Sequence, residues 1–103
     1  LGTREKDAAS LRESVAIGRA TLEIRTRDTH PLGWALAQRN VAESLRALGE
    51  LETDTAHLEE SVARLREALD ALEQDGAQYS ITQARAELKE SEEALRRRQA
   101  ATA

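Results

Sequence analysis

The two histidines are the residues of this chain whose side chains most often support catalysis or bind metals. His30 precedes Pro31, and His57 lies at the start of a later helical pattern. The chain has no cysteine, and the histidines have no paired ligand spacing of the kind that zinc sites use. We therefore expect surface or capping roles for both histidines and expect no metal site.

Carboxylates are numerous, and the adjacent pairs Glu59-Glu60 and Glu92-Glu93 are the most conspicuous. A general acid or base must be desolvated in a cleft, whereas these pairs fall on solvated faces of helical patterns. Gly-rich phosphate loops and nucleophile elbows are also absent from the sequence. The sequence thus predicts a protein that is not an enzyme and needs no cofactor.

The run Arg96-Arg97-Arg98 could bind an anion. It could also form a cationic last turn that complements the dipole of the final helix, and we favour this second interpretation. The formal net charge is −4 and the pI is near 5.2, which argues against nucleic acid or an anionic membrane as a partner. No apolar run approaches the ~20 residues of a membrane-spanning helix. The lack of cysteine fits a cytoplasmic location.

The composition favours an all-α fold in one domain over residues 1–103. Hydrophobic residues make up 40% of the chain, but Phe and Met are absent, so Leu and Ala must form the core. One proline and five glycines leave long stretches in which a helix is not interrupted. Charged residues, 33% of the total, are mixed in sign, as on solvated helix faces.

The sequence repeats itself with a period of 47 residues. The segment Glu13-Ser14-Val15-Ala16 matches Glu60-Ser61-Val62-Ala63, and Leu1-Gly2 matches Leu48-Gly49. In all, 13 of residues 1–28 are identical to the residue 47 positions later. The match weakens toward the end of the second copy. Internal repeats of this length are typical of helical-repeat proteins.

Apolar residues at spacings of three and four predict four helices. We place them at about Asp7–Thr26, at Leu32–Leu48, at a third segment that repeats the first and closes at Asp75-Gly76, and at about Tyr79–Arg98. The expected boundary signals are Asp7 or the box Ser10-x-x-Glu13 for the first helix, Pro31 and Gly49 for the second, and the box Ser80-x-x-Gln83 for the fourth. Short loops between such helices make neighbours antiparallel.

The segment Trp34–Glu50 resembles the first helix of a tetratricopeptide repeat, and Leu58–Leu69 resembles its second. The family pattern places a small residue beside a larger one, then a large residue and a turn glycine, here Val41-Ala42, Leu45 and Gly49. In the second helix it places a small residue, a large one and alanine, here Ser61, Leu65 and Ala68. The unit exceeds the usual 34 residues and is similar to the long repeats of kinesin light chain-like and bacterial arrays.

The resemblance implies an α-solenoid of antiparallel hairpins. Residues 1–30 would be the second helix of a partial repeat, 31–76 one full repeat, and 77–103 a C-terminal capping helix with a tail. Lys89 and Glu92 stand where Ala42 and Leu45 stood, which fits a polar cap. The chain begins with Leu1 rather than Met, and we interpret it as part of a longer array.

The same resemblance implies a non-catalytic scaffold that binds a protein or peptide on its concave face. The implied binding positions are Leu36, Arg39, Asn40, Glu43, Arg46, Gln83 and Glu90, with Ala86 and Glu93 beside them. Asn40 matches a family position that contacts the backbone of a bound peptide, but a hydrogen bond to a neighbouring helix would explain it equally well. Arg39 and Arg46 could receive a carboxylate, although Glu43 lies between them.

Two other functions stay open at this stage. The apolar stripes of the third and fourth helices also suit a homodimeric bundle or coiled coil, and an exposed face of the first helix could form a homodimer. The chain could also be a regulatory array attached to an enzyme. Trp34 either packs between hairpins or contacts a ligand.

Overall fold

Four α-helices make up the described part of the chain in this computed structural model, which covers residues 2–52 and 54–102. They are α1 (Gly2–Ile24), α2 (Pro31–Leu51), α3 (Ala56–Asp75) and α4 (Gln78–Thr102). The prediction of an all-α chain with four helices is confirmed. Three residues lie outside the described part of the chain: Leu1, Thr53 and Ala103. Leu1 belongs to the sequence repeat, Thr53 to the second connector and Ala103 to the expected tail. The side chains of residues 2–6 and 102 are also outside the described part.

Consecutive helices pack against each other, and α2 contacts all three others. The connectors are short, at residues 25–30, 52–55 and 76–77, so each helix folds back on the one before it. Over the described residues, α1 and α3 have no pair of Cα atoms within 8 Å of each other. Arg19 on α1 reaches Glu60 on α3 through its long side chain. No described helix is both long and apolar enough to cross a bilayer.

Leucine and alanine form the core, as the composition predicted. One cluster joins α2, α3 and α4 and consists of Ala35, Ala68, Leu69, Ala71, Leu72, Ile81 and Ala84. A second cluster joins α1 and α2 through Val15, Val41 and Leu45, with Leu22 against it. The apolar stripe expected for the third helix is buried along its whole length, at Leu58, Val62, Leu65, Leu69 and Leu72. It is therefore covered by the chain's own helices.

Glycine lets helices approach closely at two points. A Cβ atom on Gly18 would overlap the Cγ2 methyl of Val41, and one on Gly49 would lie 2.8 Å from Cγ of Leu58. The prediction that Gly49 ends the second helix is wrong, because α2 continues to Leu51 and Gly49 is buried inside it. This glycine is needed for contact between α2 and α3 rather than for a turn.

Two of the predicted helix boundaries are confirmed. Pro31 occupies the first turn of α2, and Gly76 ends α3 with a φ of +72°, the left-handed conformation that glycine adopts without strain.

The other boundary signals were wrong. Asp7 and the box Ser10-x-x-Glu13 lie inside α1, which begins at Gly2, and the box Ser80-x-x-Gln83 lies inside α4, which begins at Gln78. Capping residues are also tolerated on exposed helix surfaces, so their presence alone did not locate an end.

Candidate partner-binding surface

One face of α2 is exposed along most of the helix. Leu32, Leu36, Asn40 and Glu43, which we call the α2 stripe, follow one another at helical spacings of four, four and three residues and are all exposed. The two leucines are 42% and 44% exposed, which is high for large apolar side chains. The opposite face of α2, with Val41, Ala42 and Leu45, is buried. The core therefore fixes the direction in which the stripe points.

The Asn40 side chain is exposed and makes no hydrogen bond to any residue that the structure describes. A bond to the neighbouring helix was the alternative explanation for this asparagine, and the described structure does not contain it. The amide thus keeps both its donor and its acceptor groups available to a ligand or to water.

Arg39 is bound to the chain itself rather than presented to solvent. Its Nε and Nη2 atoms donate to the two carboxylate oxygens of Glu87 at 2.8 and 3.1 Å, a bidentate pair between α2 and α4. The hydrogen bond from this pair raises the pKa of Arg39 despite partial burial, and the negative charge of Glu87 acts in the same direction. Only 15% of the Arg39 side chain is exposed.

Arg46 is held in the same way by three carboxylates. Its Nη atoms donate to Glu43 and Glu50 on α2, and its Nε lies 3.6 Å from Glu90 on α4. Burial opposes the charge of Arg46, but the hydrogen bonds and charges of Glu43 and Glu50 outweigh it and raise the pKa of the guanidinium. Glu43 therefore pairs with Arg46 and would compete with a ligand carboxylate for it, as expected from the sequence.

The implied positions on α4 differ in exposure. Glu90 and Ala86 are exposed, whereas Gln83 and Glu93 are half-buried. The structure joins α2 to α4 through Arg39 with Glu87 and through Arg46 with Glu90. Tyr79, the only tyrosine, was not among the implied positions. It is 78% exposed at the start of α4.

The surface can thus offer apolar contact and an amide more readily than charge. Its two arginines already have carboxylate partners, so a ligand carboxylate would have to displace them. The exposed side chains of Leu32 and Leu36 supply apolar area instead.

Trp34 packs inside the fold. It is half-buried against the core cluster shared by α2, α3 and α4. The Arg27 guanidinium lies 5.6 Å from the centroid of its ring, within cation–π range. Arg27 also donates to Asp70 at 2.5 Å and to Gln74 at 3.1 Å on α3. Of the two roles open for Trp34, these contacts support packing between hairpins.

Arg98 has a role that the sequence did not predict. The arginine run was expected to form the last turn of the fourth helix, but α4 continues to Thr102, so that interpretation was wrong. Arg98 instead donates to the backbone carbonyl groups of Glu50, Glu52 and Asp54. It therefore supplies donors to the end of α2 and to the connector that follows.

The same connector brings together three potential metal ligands. One ligand atom each from Glu52, Asp54 and His57 lies within 4.8 Å of the other two. The sequence predicted a surface or capping role for His57, because the chain has no cysteine and its two histidines have no paired ligand spacing. The chain reversal between α2 and α3 supplies the potential ligands from a loop instead.

Comparison with protein-family models, with curated proteins and with solved structures gave no match for this chain.

Proposed function

We propose that this chain is a non-catalytic helical-repeat scaffold of the tetratricopeptide type, and that it binds an extended peptide segment along the α2 stripe. The observation that carries this proposal is the stripe itself, in which two exposed leucines precede the unpaired amide of Asn40 on a helix whose other face is buried. Monomeric proteins rarely expose large contiguous apolar patches, so two adjacent exposed leucines beside a free amide support a binding surface.

The spacing of hydrogen-bonded side-chain pairs supports a repeating architecture. Arg39 and Glu87 join α2 to α4 across 48 residues, and Arg27 and Gln74 join the first connector to α3 across 47 residues. The start of α4 at Gln78 likewise follows the start of α2 at Pro31 by 47 positions. Side chains about one repeat apart therefore meet each other, as they would in stacked hairpins.

The chemistry of the stripe indicates which peptide it would take. Asn40 can donate to a peptide carbonyl and accept from a peptide N–H, which fits an extended backbone irrespective of its side chains. Leu32 and Leu36 would contact apolar side chains of the peptide. A strongly acidic peptide is disfavoured, because Glu43 lies on the stripe and Arg46 is already paired with it.

Selection from a random peptide library displayed on phage, with the purified chain immobilised, tests this proposal. For a selected peptide, we expect Asn40→Ala and Leu36→Ala each to weaken binding about tenfold, the loss of roughly one hydrogen bond or one apolar contact. Glu67→Ala is the matched control, because Glu67 is exposed on α3 and has no ion pair among the described contacts. Fluorescence anisotropy gives the affinities.

Melting temperatures separate binding from folding in this test. Both stripe variants are exposed, so their melting temperatures should equal that of the native chain. Peptides whose affinity is unchanged by Asn40→Ala and Leu36→Ala would refute the stripe as the site. Arg39→Glu is unsuitable as a probe, since it would place a second carboxylate opposite Glu87.

Self-assembly is the second candidate function, and one observation favours it. Ile17 and Ile24 on α1 are 61% and 79% exposed, and their spacing of seven residues places them on the same side of the helix. Sedimentation velocity on the native chain and on Ile17→Glu tests it. A dimer that Ile17→Glu dissociates would support this function, and a native chain that stays monomeric at high concentration would refute it.

A further inference from the structure

We propose that the connector between α2 and α3 binds a divalent transition-metal cation, of which Zn²⁺ is the representative, through Glu52, Asp54 and His57. The ligand atoms of these residues lie within 4.8 Å of one another. Ligands that each bind a cation at ~2.0–2.2 Å are separated by less than about 4.4 Å, so only a small movement is required.

The ligand set selects among cations. Imidazole nitrogen suits Zn²⁺, Ni²⁺ and Cu²⁺, whereas Ca²⁺ and Mg²⁺ prefer a shell made of oxygen atoms. The connector carbonyl groups that Ca²⁺ would need already accept hydrogen bonds from Arg98. One imidazole and two carboxylates give three protein ligands, to which a tetrahedral cation adds water.

Neighbouring contacts hold two of the ligands in place. The N–H of Glu52 donates to Gly49 O at the end of α2, and Asp54 accepts the N–H of Ala56 at 3.1 Å through Oδ1. His57 is the second residue of α3. The group is thus built at the ends of two packed helices, and the second oxygen of Asp54 has no hydrogen-bond donor among the described residues.

Charges of both signs surround the group. Two carboxylates converge here. Arg12, which is 61% exposed, lies 4.0 Å from Glu52, and Arg98 donates to the carbonyl groups of Glu52 and Asp54. The affinity for a cation therefore rests on the ligand atoms themselves rather than on an excess of negative charge. His57 Nδ1 contacts the Glu52 carboxylate, and this contact competes with cation binding. The cation therefore has to displace it and form one bond to His57 and one to Glu52. A bound cation would link the end of α2 to the start of α3.

Isothermal titration of the full chain with ZnCl₂, after treatment with EDTA and dialysis, tests the proposal. We expect one binding site per chain, and a folded-to-unfolded ratio that rises about 100-fold at a free Zn²⁺ concentration 100 times the Kd. CaCl₂ and MgCl₂ should give no comparable stabilisation.

Asp54→Asn is the decisive variant. The asparagine Oδ1 can still accept the Ala56 N–H, so the start of α3 is preserved while an anionic ligand is lost. We expect the affinity for Zn²⁺ to fall at least about tenfold, with an unchanged melting temperature in EDTA. His57→Gln should abolish the site, and His30→Gln, which alters the histidine outside this group, should leave it intact.

Several results would overturn the proposal. They are the absence of a saturable site on the native chain, equal zinc affinity in native and Asp54→Asn chains, and a loss of binding with His30→Gln that matches the loss with His57→Gln. Circular dichroism of each variant in EDTA establishes that the helices are intact, so a loss of affinity reports on the ligands.

Discussion

Ser61 Oγ lies 2.8 Å from Ser91 Oγ in the buried seam between α3 and α4. Ser61 also donates to the carbonyl of Ala42 at 2.7 Å. Since a hydroxyl has one proton, Ser91 must be the donor in the bond between the serines. The two residues are 0% and 1% exposed, so this relay connects α2, α3 and α4 away from water.

Removing these hydroxyls should produce strongly coupled effects. Ser61→Ala deletes both bonds and strands the Ser91 hydroxyl, which should lower the free energy of unfolding by about 1–3 kcal/mol. Ser91→Ala deletes one bond and should cost about 0.5–1.5 kcal/mol. The double variant should lose less than the sum, by at least about 0.5 kcal/mol, because no stranded hydroxyl remains. Urea denaturation measures all three.

Ser14→Ala provides the matched control for the serine relay. Ser14 occupies the position of the first repeat copy that corresponds to Ser61 of the second, but it is exposed on α1. Its replacement should be neutral or slightly stabilising, since alanine has the higher helix propensity. Additive effects at Ser61 and Ser91 would contradict the relay.

Two helical glycines should respond oppositely to alanine. At Gly18 the new Cβ would overlap a methyl group of Val41, which is 1% exposed and, being β-branched, cannot turn away. We expect this overlap in Gly18→Ala to lower the free energy of unfolding by about 1–3 kcal/mol, which should exceed the gain of about 1 kcal/mol from the higher helix propensity of alanine. At Gly33 the nearest atom is Arg25 Nη1, 3.4 Å away at the end of a flexible side chain.

Gly33→Ala should therefore stabilise the chain by about 0.5–1 kcal/mol. Urea denaturation of the two variants gives the comparison. If Gly18→Ala raised the free energy of unfolding as much as Gly33→Ala, α1 and α2 would have room for a methyl group, and the close approach assigned to Gly18 would be wrong.

Helix content and the buried face of each central helix were predictable. The spacing of Val41 and Leu45 on α2, and of Leu65 and Leu72 on α3, requires one apolar side whatever the helices pack against. Helix ends were less predictable, because local signals compete. Gly49 is compatible with both a stop and a close contact, and only the position of Leu58 across the hairpin decides between them.

The candidate surface was predictable in part as a set of exposed positions, but not as a set of contacts. Leu36, Asn40 and Glu43 are exposed because the opposite face of α2 is buried. The partner of Arg39 is Glu87, which lies 48 residues later in the sequence. The sequence predicts this pair only if residues about one repeat apart are assumed to be neighbours in space. The group at Glu52 and His57 forms because the connector reverses the direction of the chain. The path of this connector cannot be predicted from the spacing of apolar residues in the sequence.

Glu60 should make stability depend on pH in the acidic range. It accepts bonds from Arg19 on α1, at 2.7 Å, and from Arg64 on its own helix, at 2.8 Å. Partial burial acts to raise the pKa of Glu60, but the hydrogen bonds and charges of these arginines lower it below the ordinary value of 4.5. The stabilisation is therefore present above the unfolded-state pKa and is lost as the pH falls through the lower folded-state value.

Glu60→Gln should accordingly cost about 1 kcal/mol at pH 7, and the difference from the native chain should shrink as the pH falls below about 4.5. Thermal unfolding followed by circular dichroism at pH 7 and at about pH 3 measures it. Glu67→Gln, on an exposed position of α3 without an ion pair among the described contacts, should show no such change. A cost for Glu60→Gln that is constant over this range would contradict the assignment.

Arg98 should stabilise the α2–α3 connector through its backbone contacts. The carbonyl groups of Glu50, Glu52 and Asp54 to which it donates lie beyond the regular hydrogen bonding of α2. Arg98→Ala would leave them to weaker solvation and should lower the free energy of unfolding by about 1–3 kcal/mol. Faster amide exchange at the start of α3 should accompany the loss.

Arg97→Ala is the control for Arg98, since Arg97 is exposed on the same turn of α4 and makes no hydrogen bond to the described residues. It removes the same charge without touching the connector, so it separates the backbone contacts from the general effect of a cation near the end of α4. Arg98→Lys keeps the charge but cannot reach three carbonyl groups at once, and its stability should lie between those of Arg98→Ala and the native chain. Equal stabilities for Arg98→Ala and Arg97→Ala would mean that the connector does not depend on the guanidinium.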